Sequence, residues 1–191
     1  MAKQNFLRKI NLRKVLVEMI SVIFAVLLAL FLNEWRSNLK QEEELKKARA
    51  NLQEELVSNR DELKRTIEFH EFQHKQLLKL KDSLGILDKP FSSYDMGVAI
   101  LNLKKAAWES ITLTDVVNRL DFEELSDYSE LYRGYQLIEK LQDSFIIGAF
   151  SLEFNQAKNS EEAYLVTKNH LNQMIVWEKE MLQELEIRLE N

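Results

Sequence analysis

The chain has 191 residues, a net charge of −5 and no cysteine. That length holds one domain plus an anchor, and the missing thiols exclude a disulfide framework, a thiol nucleophile and a Cys-based zinc site. Five basic residues precede the first acid, so the chain beyond Leu32 carries 21 basic against 30 acidic residues. Such an acidic body lacks the clustered Lys and Arg that phosphate contacts require, which argues against nucleic acid as a partner.

Residues 1–14 form a basic arm holding Lys3, Arg8, Lys9, Arg13 and Lys14. Residues 15–35 follow as a transmembrane helix. Val15–Leu32 is an apolar run whose one charge is Glu18, and about 18 such residues are near the short end of what spans a bilayer. No small-x-small cleavage pattern accompanies Leu30-Phe31-Leu32-Asn33, and helical patterning runs straight on. The segment therefore reads as a retained anchor rather than a signal peptide. The acid-free arm, against Arg36, Lys40, Lys46 and Lys47 beyond the anchor, points to a cytoplasmic N-terminus and a periplasmic body at the inner membrane. Trp35 then lies at the outer interface, where amphipathic rings are favoured.

Glu18 has two readings. Beside Lys14 at headgroup level, it leaves only Met19–Leu32 immersed, about 21 Å of helix. Buried against a neighbouring subunit, it makes a polar contact or lines an ion path.

Residues 36–86 read as a long amphipathic, coiled-coil-like helix continuous with the anchor. Leu45, Leu52, Leu56, Leu63, Leu77, Leu80 and Leu84 recur near heptad spacing, while Asn59, Thr66, His70 and Gln73 interrupt the stripe. A narrow seam of this kind packs on one or two partner helices. Gly85 and Leu87-Asp88-Lys89-Pro90 end it.

Residues 91–191 complete an antiparallel helical bundle. Ser92 or Ser93 caps a helix from Tyr94 to about Ser110 carrying Val98, Leu101 and Trp108, and Thr112-Leu113-Thr114 breaks it. Asp121-Phe122-Glu123-Glu124 is a capping-box pattern opening a helix to about Asn155 with Tyr128, Tyr132 and Tyr135 at helical spacing. Asn159-Ser160-Glu161-Glu162 opens the last helix, with Leu171, Ile175, Leu182, Leu185 and Leu189 on one stripe. Phe145–Phe154 is too short to span and reads as the buried middle of its helix. Trp108 and Trp177 are core candidates. No segment alternates with a two-residue period, so the fold class is all-α.

One pattern carries chemistry. His70-Glu71-Phe72-Gln73-His74 matches H-E-x-x-H, which places two imidazoles on one helical face with a glutamate as general base toward a zinc-bound water. A third ligand has to come from elsewhere, His170 or a glutamate. Zincins set this helix against a sheet, and no strand is expected here. The bland reading, seam or solvated histidines, therefore stands ahead of a zinc site at His70 and His74, and no cofactor is expected.

The segment Glu18-Met19, Leu28-Ala29-Leu30, Asn33 and Trp35, with Ala107-Trp108-Glu109-Ser110 and the stretch from Leu120 to Tyr132, resembles an uncharacterised family of small single-pass proteins common in Bacteroidota. The resemblance implies a membrane location and a helical body and lends no activity. The expectation is a non-enzymatic, homo-oligomeric scaffold or sensor of the cell envelope, touching lipid and a protein partner. The alternatives are a channel-like or ion-coupled assembly using Glu18 and, behind it, a membrane-tethered zinc hydrolase.

Overall fold

The computed structural model describes residues 12–84, 99–149 and 160–190. Among them are four α-helices and no strand: α1 (Leu12–Leu84), α2 (Ala106–Thr112), α3 (Phe122–Ala149) and α4 (Ser160–Glu190), with a 3-10 turn at Asp115–Arg119. The all-α expectation holds. No glycine or proline falls between Leu12 and Leu84, so nothing interrupts the 73 residues of α1.

The chain divides into two units, residues 1–46 and 47–191, and the division falls inside α1. In the first unit every side chain from Arg13 to Lys40 is exposed. Its most apolar eighteen-residue window has a mean hydropathy of 2.9 with none of it buried, which makes α1 long and apolar enough to cross a membrane. The Ser21 hydroxyl donates to the Val17 carbonyl at 2.9 Å, so the polar group nearest the middle of the apolar run is satisfied within its own helix.

The second unit is built on the seam of α1. Positions 52, 56, 59, 63, 66, 70, 73 and 77 are all buried, alternating four and three residues apart as a heptad seam requires. Leu52, Leu56, Leu63 and Leu77 are fully enclosed, each contributing about 1.5–3 kcal/mol on burial. On α4 the seam passes through Tyr164, Thr167, Leu171, Met174, Glu178, Met181 and Leu185. The leucine stripe expected there is rotated: Leu171 and Leu185 are buried, whereas Ile175, Leu182 and Leu189 are half-buried. Those three flank the seam, because α4 meets two helices and buries more than one narrow line.

Ion pairs set the helix directions. Lys64 with Glu186 and Lys179 with Glu71, each at 2.6 Å, hold α1 antiparallel to α4. Arg188 on the Asp127 carbonyl at 3.3 Å, Met181 against Gly134, and His170 stacked on Phe145 hold α3 antiparallel to α4. Consequently α1 and α3 run parallel, as the bidentate Arg49–Glu124 pair and the Glu55–Tyr132 hydrogen bond also require. Two parallel helices need a return path between them, and residues 99–120 supply it.

That return overturns part of the expected second helix. Residues 94–98 lie outside the described residues, 99–105 form neither helix nor strand, and α2 holds only Ala106–Thr112. Leu101 and Leu103 are both 3% exposed while Ile100 is 59% exposed. In a helix, residues two apart diverge by about 200°, whereas an extended chain turns alternate residues to one side. Burying both leucines disfavours a helix. The capping box is half realised: Asp121 Oδ1 accepts from the Glu124 N–H at 2.8 Å, but the Glu124 carboxylate is held by Arg49 instead of reaching back. Ile147 is 75% exposed, so the 145–154 patch is not uniformly interior where it is described.

Candidate functional site: a buried polar seam

A segment outside helix and sheet has peptide groups without ladder partners, and buried ones need other donors and acceptors. Side chains of α1 and α3 supply them. The Asn59 amide, 1% exposed, donates to the Lys104 carbonyl at 2.8 Å and accepts from the Lys104 N–H at 2.7 Å. Gln142 on α3 does the same at Leu101, accepting from its N–H at 2.7 Å and donating to its carbonyl at 3.4 Å. The Glu55 carboxylate accepts from the Ala107 N–H at 2.8 Å and the Trp108 N–H at 3.4 Å. Glu55 thereby caps the start of α2, where Lys105 offers no side-chain cap of its own.

Glu55 also accepts from the Tyr132 hydroxyl, and Tyr132 stacks on Trp108 with centroids 5.3 Å apart. Burial pushes the Tyr132 and Tyr135 phenols far above their ordinary value, keeping both neutral. The tyrosines and Trp108 thus form a packed aromatic group, as expected. Trp177 is only half-buried.

His70 is the second node. Its Nδ1 lies 3.0 Å from Glu178 Oε2 and its Nε2 lies 3.3 Å from the Ala99 carbonyl. The ring thus bridges the Glu178 carboxyl group and the Ala99 carbonyl. The ring is 5% exposed and Glu178 is completely enclosed, with Oε1 unpartnered. The pair therefore ties α4 to α1 and the segment at Ala99 to both.

This geometry bears on the H-E-x-x-H pattern. Both His70 nitrogens face protein acceptors. Glu71 pairs with Lys179 at 2.6 Å, which lowers its pKa. His74 is half-buried with Nε2 unpartnered. His170 stacks on Phe145 at 3.9 Å, and burial, with the nearby His70, lowers its pKa to about 4. Among the described residues no three His, Asp or Glu side chains are grouped to hold a metal ion.

The residues assigned to membrane or oligomer contact lie in the first unit. Glu18 is exposed and makes no hydrogen bond or ion pair with any described residue, and Trp35 is 57% exposed. Sequence reasoning missed Glu178, Gln142 and Glu55. Glu178 is the only acid on the α4 seam, so a heptad register anchored on Leu171 and Leu185 would have flagged it.

Comparison with protein-family models, curated proteins and solved structures finds no match to this chain.

Proposed function

We propose that the chain is a single-pass membrane protein, retained at the inner membrane with its N-terminus in the cytoplasm, whose helical body acts through protein contacts as an oligomeric scaffold or sensor rather than by catalysis. One observation carries the reading. No described residue covers the apolar segment 15–32, yet it continues without a break into the helix that forms the seam of the body. Lipid or neighbouring copies must cover that surface. The resemblance to the small single-pass family supports the same reading. Asn59, Gln142 and Glu55 hold the segment between α1 and α3 through its peptide groups, a structural task. Cross-linking the full-length protein in native membranes tests the oligomer: dimers or higher species are expected, and monomer alone overturns the reading.

Glu18 favours a second reading on its own evidence. Its carboxylate has no partner among the described residues, and an ionisable group facing hydrocarbon is costly unless a neighbouring subunit or water receives it. An oligomer lined by Glu18 would conduct or couple to ions. Flux through liposomes carrying wild type but not Glu18→Gln supports it, and equal flux or none rejects it.

A further inference from the structure

The outward face of α3 and α4 carries a groove that the seam does not use. It encloses about 270 Å³. Gly134 has no side chain, and Met181 from α4 occupies the space that a Cβ there would take. Its floor is apolar: Leu137 is 51% exposed, Met181 and Ile138 lie beneath, and Trp177 forms one wall. A flexible thioether beside an indole and a leucine is a surface that repacks around an incoming side chain.

The rim is charged and one-sided. Glu130, Glu180 and Glu184 stand against a single cation, Arg133. Glu184 is engaged by Arg188 at 3.6 Å, whereas Glu130 and Glu180 form no ion pair among the described residues. In contrast, Lys64, Lys105 and Lys179 elsewhere on the body each hold a carboxylate within 2.7 Å. Two free carboxylates flanking an apolar floor suit an occupant with aliphatic and cationic groups on one face. A second copy presenting this same face would set acid against acid, which disfavours self-association here.

We propose that the α3–α4 groove is the docking site for a basic amphipathic helix of a partner protein, which lays its apolar side chains on Leu137, Met181 and Trp177 and its Lys or Arg groups against Glu130 and Glu180. The helix-in-groove mode needs only anchors at helical spacing and complementary rim charge. The proposal rests on the reading of the chain as a protein-contact module and names the class of its partner.

The test places a photo-cross-linking benzophenone residue at Leu137 in the full-length, membrane-resident protein, with a second copy of the experiment at exposed Ile147 as control. The cross-linked peptide is then sequenced. The expected adduct is a different protein, joined through a segment with Lys or Arg recurring three to four residues apart. The Glu130→Lys/Glu180→Lys double variant should cut its yield at least about fivefold, as like charges face each other across the contact. An adduct with another copy of this chain, with an acidic or neutral segment, with one insensitive to the charge reversal, or no adduct at all overturns the proposal. A parallel probe at Leu28 reports self-association in the membrane segment. Self-adducts there with no partner adduct at Leu137 reject the groove alone, and loss of both rejects the protein-contact reading.

Discussion

Asn59→Ala is the sharpest test of the buried polar seam. The substitution removes an amide that is 1% exposed and makes two hydrogen bonds, at 2.8 and 2.7 Å, to the peptide groups of Lys104. A buried donor or acceptor left without its partner costs about 1–3 kcal/mol. Lys104 itself is exposed, so water recovers part of that loss and the lower end applies to each group. The two groups together give about 2–3 kcal/mol against the closed position of residues 99–105. Because only side chains tie the Leu101–Lys104 peptide groups to α1 and α3, the loss should appear as local opening before global unfolding. Hydrogen exchange of the full-length protein in lipid nanodiscs reads it directly. The Lys104 amide should exchange about 30–150-fold faster, since each 1.4 kcal/mol is tenfold, while amides around Leu56 and Leu131 change little. Asn59→Asp keeps the acceptor for the Lys104 N–H but sets a carboxylate against the Lys104 carbonyl, and should open the segment by a similar amount. Unchanged exchange at Lys104, or equal acceleration throughout the body, would refute the argument that this amide holds the return segment.

Glu55→Ala strips the cap from α2 and the acceptor from Tyr132, and should cost about 2–4 kcal/mol by denaturant titration, with Trp108 fluorescence changing in step. Glu55→Gln, which keeps one acceptor, should cost less. His170 has its pKa lowered in the fold to about 4 from 6.5, so the unfolded chain binds more protons between those values and stability falls as pH drops through that window. Its partial exposure limits the effect to about 1–2 kcal/mol. His170→Gln should be more stable than wild type at pH 4.5 but not at pH 7.5, and parallel pH curves for the two proteins would contradict this. Gly134→Ala brings a methyl group onto the Met181 thioether. The gain in helix propensity, about 1 kcal/mol, and the displacement of a flexible side chain should nearly cancel. Gly134→Phe should overfill the site and lower the melting temperature clearly.

Leucine spacing placed Leu52, Leu56, Leu63 and Leu77 on the α1 seam, Leu45 and Leu80 are half-buried, and the four polar residues that interrupt the stripe are buried on it. What spacing does not reveal is why they are tolerated. Asn59 meets Lys104 across 45 residues and His70 meets Glu178 across 108, and no local rule pairs an amide with a distant peptide group. The same gap explains the misread stretch 99–105. Its helix-compatible composition is overridden because two leucines and two amide side chains on other helices favour a non-helical chain. The Asp121 cap and the break after Thr112 were legible because they are local chemistry.

The sequence by itself determined the apolar run, the uninterrupted α1, the acidic body and the all-α fold class, since each depends on composition and short-range periodicity. Only the tertiary structure decided that α1 and α3 run parallel, that residues 99–105 form no helix, and that His70 faces Glu178 and the Ala99 carbonyl. It alone revealed the acidic groove over Gly134. Those outcomes depend on which distant groups satisfy one another once water is excluded, a constraint that operates in space and not along the chain.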